Sequence, residues 1–499
     1  MSLELAMTPL TEFILLSVLG SIFTILFSSP WRPWLMKRFS LHSIPSFGLF
    51  KGFTLSSPVL SGSTSNHHTT DVISRQKFDT IHNLSDCHEV ASSFSNLVNQ
   101  DGAGSWPPKS NHDESTWPAC LQAYKEIYHE MAPLLPAENV SLDDDTNERR
   151  IFEFRSLFTQ LLSQKVNLAE VERLLQAADA GRWDVFPRDV YNGFYCCVAW
   201  CRHAYRWASI PVVRLAQLEK SIAFPDELTV PWNSMQMHFG LDSESGNNMS
   251  NLVLNFSTSG DYTLKINTGL STLIQSSEEE FARIFHEVEV IGVPIYSSIV
   301  ESIVAHARGD KVASLEHVRD IKDQLRPLLS SYYDRVHDAK IAKSVWLSRV
   351  QGFYAWGVGH QNSTNGEWEK FDGLSGNQVL LFQALDAFLG LEAYLPKLIQ
   401  ERNVPRLQRR FCEVVKKHGF RDELGDEGVD GKIKREFEDI VKRLRVFRSA
   451  HRTRAKVYLT QPAPERLPMT AGKSLLKEDM DQSLLFLDQF MVGRLQQTV

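Results

Sequence analysis

Between Gly431 and Tyr458 the residues Ile440, Leu444, Phe447, His451, Ala455 and Tyr458 recur at steps of three and four. They therefore line one stripe of a long helix, with most of the arginines and lysines on its other side. That periodicity confines the segment to helix and puts an imidazole on the buried face. Arg448, one turn before His451, leans toward the same side, because residues three apart are helical neighbours. A histidine so placed either hydrogen-bonds a carbonyl inside a core or offers a ring nitrogen to a metal. The stripe alone does not choose between them.

With 499 residues, 43% of them hydrophobic and 23% charged, the chain has room for one large core or two. A net charge of −7 without a predominantly basic domain argues against nucleic acid. Cys87, Cys120, Cys196, Cys197, Cys201 and Cys412 form neither a CxxC nor a disulfide framework, which points to a reducing compartment. Neither a P-loop nor a dinucleotide fingerprint occurs. His286-Glu287 opens like a zinc-protease helix, but Val290 stands where the second histidine is required.

From Phe13 to Phe27 the chain is almost wholly apolar, and Trp31-Arg32-Pro33-Trp34-Leu35-Met36-Lys37-Arg38 follows directly. Two interfacial tryptophans and three cations on the C-terminal side predict a single membrane span over residues 1–40 with the body in the cytosol, at the endoplasmic reticulum. Residues 41–115, rich in Ser, His, Asn, Gly and Thr, read as a linker or covering segment, in which His67-His68 lack a partner at ligand spacing. Helical patterns dominate from Trp117: Ile151–Leu162, Leu168–Ala177 behind Asn167, Val190–Trp207 behind Asp189, and Val212–Ile222. Leu252–Ile266 alternates enough for a strand or hairpin. Ser277 and Glu280 fit a capping box for a helix carrying Phe281, Ile284, Phe285, Val288 and Ile291, which Gly292 and Pro294 interrupt. Helices resume at Tyr296–Ala307, Leu315–Leu329 and Tyr332–Val350. A second capping box, Ser375 with Gln378, precedes Leu381, Phe382, Leu385, Phe388 and Leu389.

Three of these stretches, Gly373-Leu374-Ser375-Gly376-Asn377-Gln378, Phe382 to Gly390 and Phe447-Arg448-Ser449-Ala450-His451, resemble in order the glycine-serine loop, the following helix and the haem-ligand helix of the indoleamine 2,3-dioxygenase family. His203 to Trp207 resembles its small-domain helix, Phe281 to Ile295 its distal-side helix, and Ser348 to Phe353 the segment carrying its substrate-binding arginine. The resemblance runs from about residue 150 to the C-terminus. It implies an all-α fold with a small helical domain (116–235) and a large helical haem domain (236–499), here behind a transmembrane anchor, in a monomer. It also implies that His451 is the proximal ligand of a haem b iron, that Arg448 and Asp386 brace the proximal side, and that Ser375 and Gly376 pass over the haem edge. Phe281, Phe285, Arg349, Gln351 and Phe353 would line the substrate pocket, with no side chain acting as acid or base.

Three departures matter. Gln351 stands where the family keeps the arginine that holds a carboxylate, with Arg349 two residues away; Phe285 replaces a small polar residue; Leu374 replaces a glycine. A glutamine cannot make the bidentate charged contact of an arginine. The expected activity is therefore dioxygenation of an indole across C2–C3, on tryptophan or preferably a tryptophan-derived metabolite whose carboxylate is in an amide. The alternatives are a haem monooxygenase or peroxide-using enzyme on the same scaffold, and a non-catalytic helical binding protein.

Overall fold

The computed structural model describes residues 76–136, 140–362, 366–393, 395–458 and isolated positions beyond 465. The expected membrane segment and His67-His68 lie outside the described residues. Helix dominates the rest, in keeping with the all-α expectation. The principal helices are α1 (Glu89–Gln100), α2 (Ala119–Met131), α3 (Asp144–Lys165), α4 (Leu168–Asp179), α5 (Arg188–Trp207), α6 (Asp226–Phe239), α7 (Thr272–Ala307), α8 (Lys311–Arg335), α9 (Leu380–Phe388), α10 (Arg406–Lys417) and α11 (Gly428–Val457). Two three-residue strands, Gly359–Gln361 and Trp368–Lys370, pair antiparallel.

The segment read as a linker contributes more than expected. Residues 76–84 are helical, and α1 buries Val90, Phe94, Leu97 and Val98, with Phe94 packed on Tyr296 and Phe411. Its serines hid an apolar face of ordinary helical spacing. Around α5, every residue from Val190 to Trp207 is buried, which makes it the central element of the N-terminal half. Its charges are answered internally. Arg206 binds Glu219 at 2.6 Å and the Ala216 carbonyl at 2.8 Å, and Arg202 binds Glu244 at 2.6 Å.

The 36-residue α7 is the spine of the C-terminal half. Its apolar length would suffice to cross a membrane, yet most of it is buried within the fold, as in a core helix. The expected break at Gly292 and Pro294 does not occur. Burial of Val293, Ile295, Tyr296, Ile299, Val300 and Ile303 offsets the hydrogen bond that Pro294 cannot donate. Gly292 instead permits close packing: a Cβ there would stand 2.8 Å from Leu381 Cδ2 of α9. The helix also starts earlier than its capping box, at Ser271, and Ser277 accepts a hydrogen bond from the Ala342 N–H at 3.2 Å. Arg335 of α8 binds Glu280 and Glu287 of α7.

The helix expected over Tyr332–Val350 ends at Arg335. His337 and Asp338 accept from the Ala339 and Lys343 N–H groups at 3.1 and 2.8 Å, a side-chain alternative to helix. Leu252–Ile266 forms a 3-10 turn and a single bridge, Phe256 to Tyr262, closed by Gly260 in the left-handed region. Neither Asn167 nor Asp189 caps in the manner expected: α4 has no side-chain cap, and α5 starts one residue before Asp189, behind Pro187.

Candidate functional site: an imidazole below, an aromatic wall above

His451 sits half-buried on α11, as the stripe required, between two aromatic neighbours. Its ring centroid is 5.4 Å from Tyr332 of α8, edge on, and 6.1 Å from Phe447. Phe447 stacks on Phe382 of α9 at 5.6 Å. Tyr332, Phe382 and Phe447 are themselves only partly buried. Among the described residues, neither ring nitrogen of His451 has a hydrogen-bond partner, and burial lowers its pKa to about 4. The ring is therefore neutral at physiological pH with a lone pair available, the form in which imidazole ligates a metal. One turn below, Arg448 Nη2 donates to Asp386 Oδ1 of α9 at 2.6 Å, in a pair almost wholly withdrawn from solvent.

On α7, Phe281 and Phe285 pack edge to face at 5.2 Å. Phe281 also meets Trp346 at 4.4 Å and Tyr354 at 5.6 Å. The stretch Trp346–Val350 is a π-helical turn, in which the Gln351 N–H bonds the Trp346 carbonyl and brings residue 351 over residue 346. Arg349 points elsewhere. Its guanidinium reaches the Ile210 carbonyl at 3.4 Å, and Gly352, three residues on, packs against Val212. Phe353 joins the Phe281 cluster only through Tyr354, whose ring it meets edge on at 5.6 Å. It packs on Trp200 and His203 of α5, while its carbonyl accepts from His203 Nδ1 at 2.6 Å and Trp207 Nε1 at 3.2 Å. Tyr354 shares the Trp200 contact, with ring centroids 6.2 Å apart.

The loop before α9 closes over this wall. The Leu374 N–H bonds the Tyr354 carbonyl at 3.0 Å, and Gln378 Oε1 accepts from Asn248 N at 2.9 Å and Ser375 N at 3.3 Å. The last contact is half of the expected capping box. A Cβ on Gly376 would lie 3.6 Å from Phe285. So the structure brings Gly376 to Phe285, and Arg448 and Asp386 to the foot of His451.

Sequence reasoning missed Glu289. It is 2% exposed, and its carboxylate accepts from Trp106 Nε1 at 2.8 Å, Tyr296 hydroxyl at 2.6 Å and Leu381 N–H at 3.3 Å. Burial pushes its pKa upward while these donors oppose the rise. No side chain local to α9 caps its start, so Glu289 supplies the cap from α7 and joins the Phe285 helix to the helix bearing Asp386. A glutamate on a buried stripe was the only signal. Trp346 and Tyr354 were equally silent, because their wall depends on the π-turn.

These residues fit a haem on an observation of their own: a neutral, unpartnered imidazole beside partly buried aromatics, with a carboxylate-held guanidinium at its foot. A family model described as indoleamine 2,3-dioxygenase matches residues 191–485, more than half of the chain. Comparison with curated proteins finds no match.

Proposed function

The chain belongs to the indoleamine 2,3-dioxygenase family, and from that premise we propose that it opens the C2–C3 bond of an indole, taking tryptophan or, in preference, a tryptophan-derived metabolite. The family is haem-dependent, which makes haem b the cofactor of the proposed reaction. The single observation that carries the reading is His451, neutral and without a hydrogen-bond partner above the Arg448–Asp386 pair.

In this reading His451 holds the iron through a ring nitrogen, and Arg448, fixed by Asp386, meets an acidic edge of the cofactor. Bound ferrous haem supplies the dioxygen chemistry that places both oxygen atoms in the product. The chain's other residues bind and orient. Phe281, Phe285, Trp346 and Tyr354 offer aromatic faces to a flat indole and exclude water. Ser375 and Gly376 close the rim. No side chain moves a proton, in keeping with a wall of rings. We place the protein as a monomer, anchored by the apolar run Phe13–Phe27 with its body in the cytosol, where a lipophilic indole would reach it.

The test is an absorption spectrum of the purified protein, oxidised, reduced and under carbon monoxide, followed by turnover of indoles under labelled dioxygen. A histidine-ligated haem spectrum lost in His451→Ala, and two labelled atoms in the product, are expected. Haem bound equally well by His451→Ala sinks the ligand assignment, and one labelled atom moves the reaction to monooxygenation. Retention in the membrane fraction, lost when residues 1–38 are deleted, checks the anchor.

A further inference from the structure

Two buried N–H groups of the π-turn beside the aromatic wall have no acceptor among the described residues: Trp346 Nε1 and Gln351 Nε2. The residues are 8% and 1% exposed. A donor shut away from water without a partner is costly, and each such group calls for an explanation. Both belong to one feature, the π-turn, which brings residue 351 over residue 346, and the Trp346 ring lies 4.4 Å from Phe281. π-Turns inside helices frequently mark functional sites.

The charge around this pair is as informative as its donors. The nearest arginine in sequence, Arg349, reaches the Ile210 carbonyl on the side of the turn that carries Gly352 against Val212. An anionic carboxylate moved into such a site would leave water for two neutral donors and no charge partner, at a loss. A neutral carbonyl accepts two N–H bonds through its two lone pairs and carries no charge to desolvate.

We propose that Trp346 Nε1 and Gln351 Nε2 form a hydrogen-bond subsite for a neutral carbonyl on the substrate, so that this enzyme takes indoles bearing an amide or ester group in preference to the free amino acid. The proposal rests on the indole reading above and assigns to the expected amide the two donors that would hold it. Phe281 packs against the ring plane of the indole, and the two donors read the side chain at C3. Specificity arises because an indole lacking the carbonyl leaves both donors unpaired.

Calorimetric titration of the full-length haem-loaded protein with N-acetyl-tryptophanamide, 3-methylindole and tryptophan tests this. The amide is expected to bind about tenfold more tightly than either of the others. Trp346→Phe, which removes the N–H and keeps a ring against Phe281, and Gln351→Met, which keeps the volume, should each weaken the amide about three- to tenfold. Because both residues also border the indole, the readout is selectivity: the affinity ratio of amide to 3-methylindole should fall about three- to tenfold in each variant. Equal binding of amide and 3-methylindole, tighter binding of tryptophan, or equal losses for both neutral ligands in the variants would overturn the subsite. The three-ligand comparison on the unaltered protein decides the matter even where a variant fails to fold. Protein that takes no haem yet keeps this ligand order refutes the dioxygenase reading and supports the subsite. Haem-loaded protein that opens indoles without the order refutes the subsite alone.

Discussion

The two faces of the site are built from different chemistry. Below, His451 and Arg448 share α11, Asp386 comes from α9, and a guanidinium–carboxylate pair at 2.6 Å sets the geometry. Above, Phe281 of α7 meets Phe285, Trp346 and Tyr354, and the polar groups nearby include two unpartnered N–H donors. The lower face keeps the residues that the family resemblance demands; the three departures, Phe285, Gln351 and Leu374, all fall on the upper one. A cofactor presents the same iron and the same acidic edge in every member, so its side tolerates little change. The substrate side is free to follow a new ligand, provided that something holds the two faces in register. Glu289 does so here, since it leaves α7 one turn beyond Phe285 and caps the helix that carries Asp386.

That contrast can be broken at three places. The largest expected effect is Asp386→Ala, which strips Arg448 of its carboxylate in a setting where losing one partner of a buried pair costs about 3–5 kcal/mol. Urea unfolding should show that loss together with a heterogeneous haem spectrum. A change below about 1 kcal/mol would mean that the pair braces nothing.

Next comes Glu289→Gln, which keeps one acceptor oxygen and turns an N–H₂ toward the Trp106, Tyr296 and Leu381 donors. A cost of about 1–3 kcal/mol is expected. Because the residue joins the faces, both the haem spectrum and indole affinity should move. A variant in which stability falls and both readouts stay fixed would reduce Glu289 to an ordinary core contact.

The smallest effect is the response to acid. Burial holds His112, His203 and His238 to pKa values of about 4, against an ordinary 6.5, and His203 supports the upper wall through the Phe353 carbonyl. The unfolded chain binds protons at these rings below pH 6.5 while the folded chain does not. Their contribution is therefore whole above pH 6.5 and is lost as pH falls toward 4. On the order of half a kcal/mol per histidine should disappear between pH 7 and 6. Urea midpoints across that range check it, and a midpoint that is flat or rises on acidification would contradict the neutral assignment.

The lower face was legible because its information is local. A stripe at steps of three and four predicts a helix over 431–458, and α11 spans Gly428–Val457 with His451 where the stripe put it. Arg448 follows from the turn spacing, and Asp386 came with the resemblance. The upper face was not legible in the same way. Phe281 and Phe285 stood out as aromatics four apart, but Trp346–Val350 was read as part of one helix with Tyr332. Phe353 was assigned to the pocket, and its ring lies between Trp200 of α5 and Tyr354 of the wall. The reading of residues 41–115 as a linker or covering segment did not anticipate the helix α1, because serines on a buried face look like a solvated one.

Helical content, the buried stripe of α11 and the glycine-serine loop follow from periodicity and from residue types whose backbone preferences act over a few positions. Which carbonyl Arg349 meets, where α8 stops, and that Glu289 caps a helix some ninety residues away depend on groups brought together only by packing. Those choices are made by the demand that buried donors and acceptors find partners in three dimensions, and chain order records nothing of where the partners are.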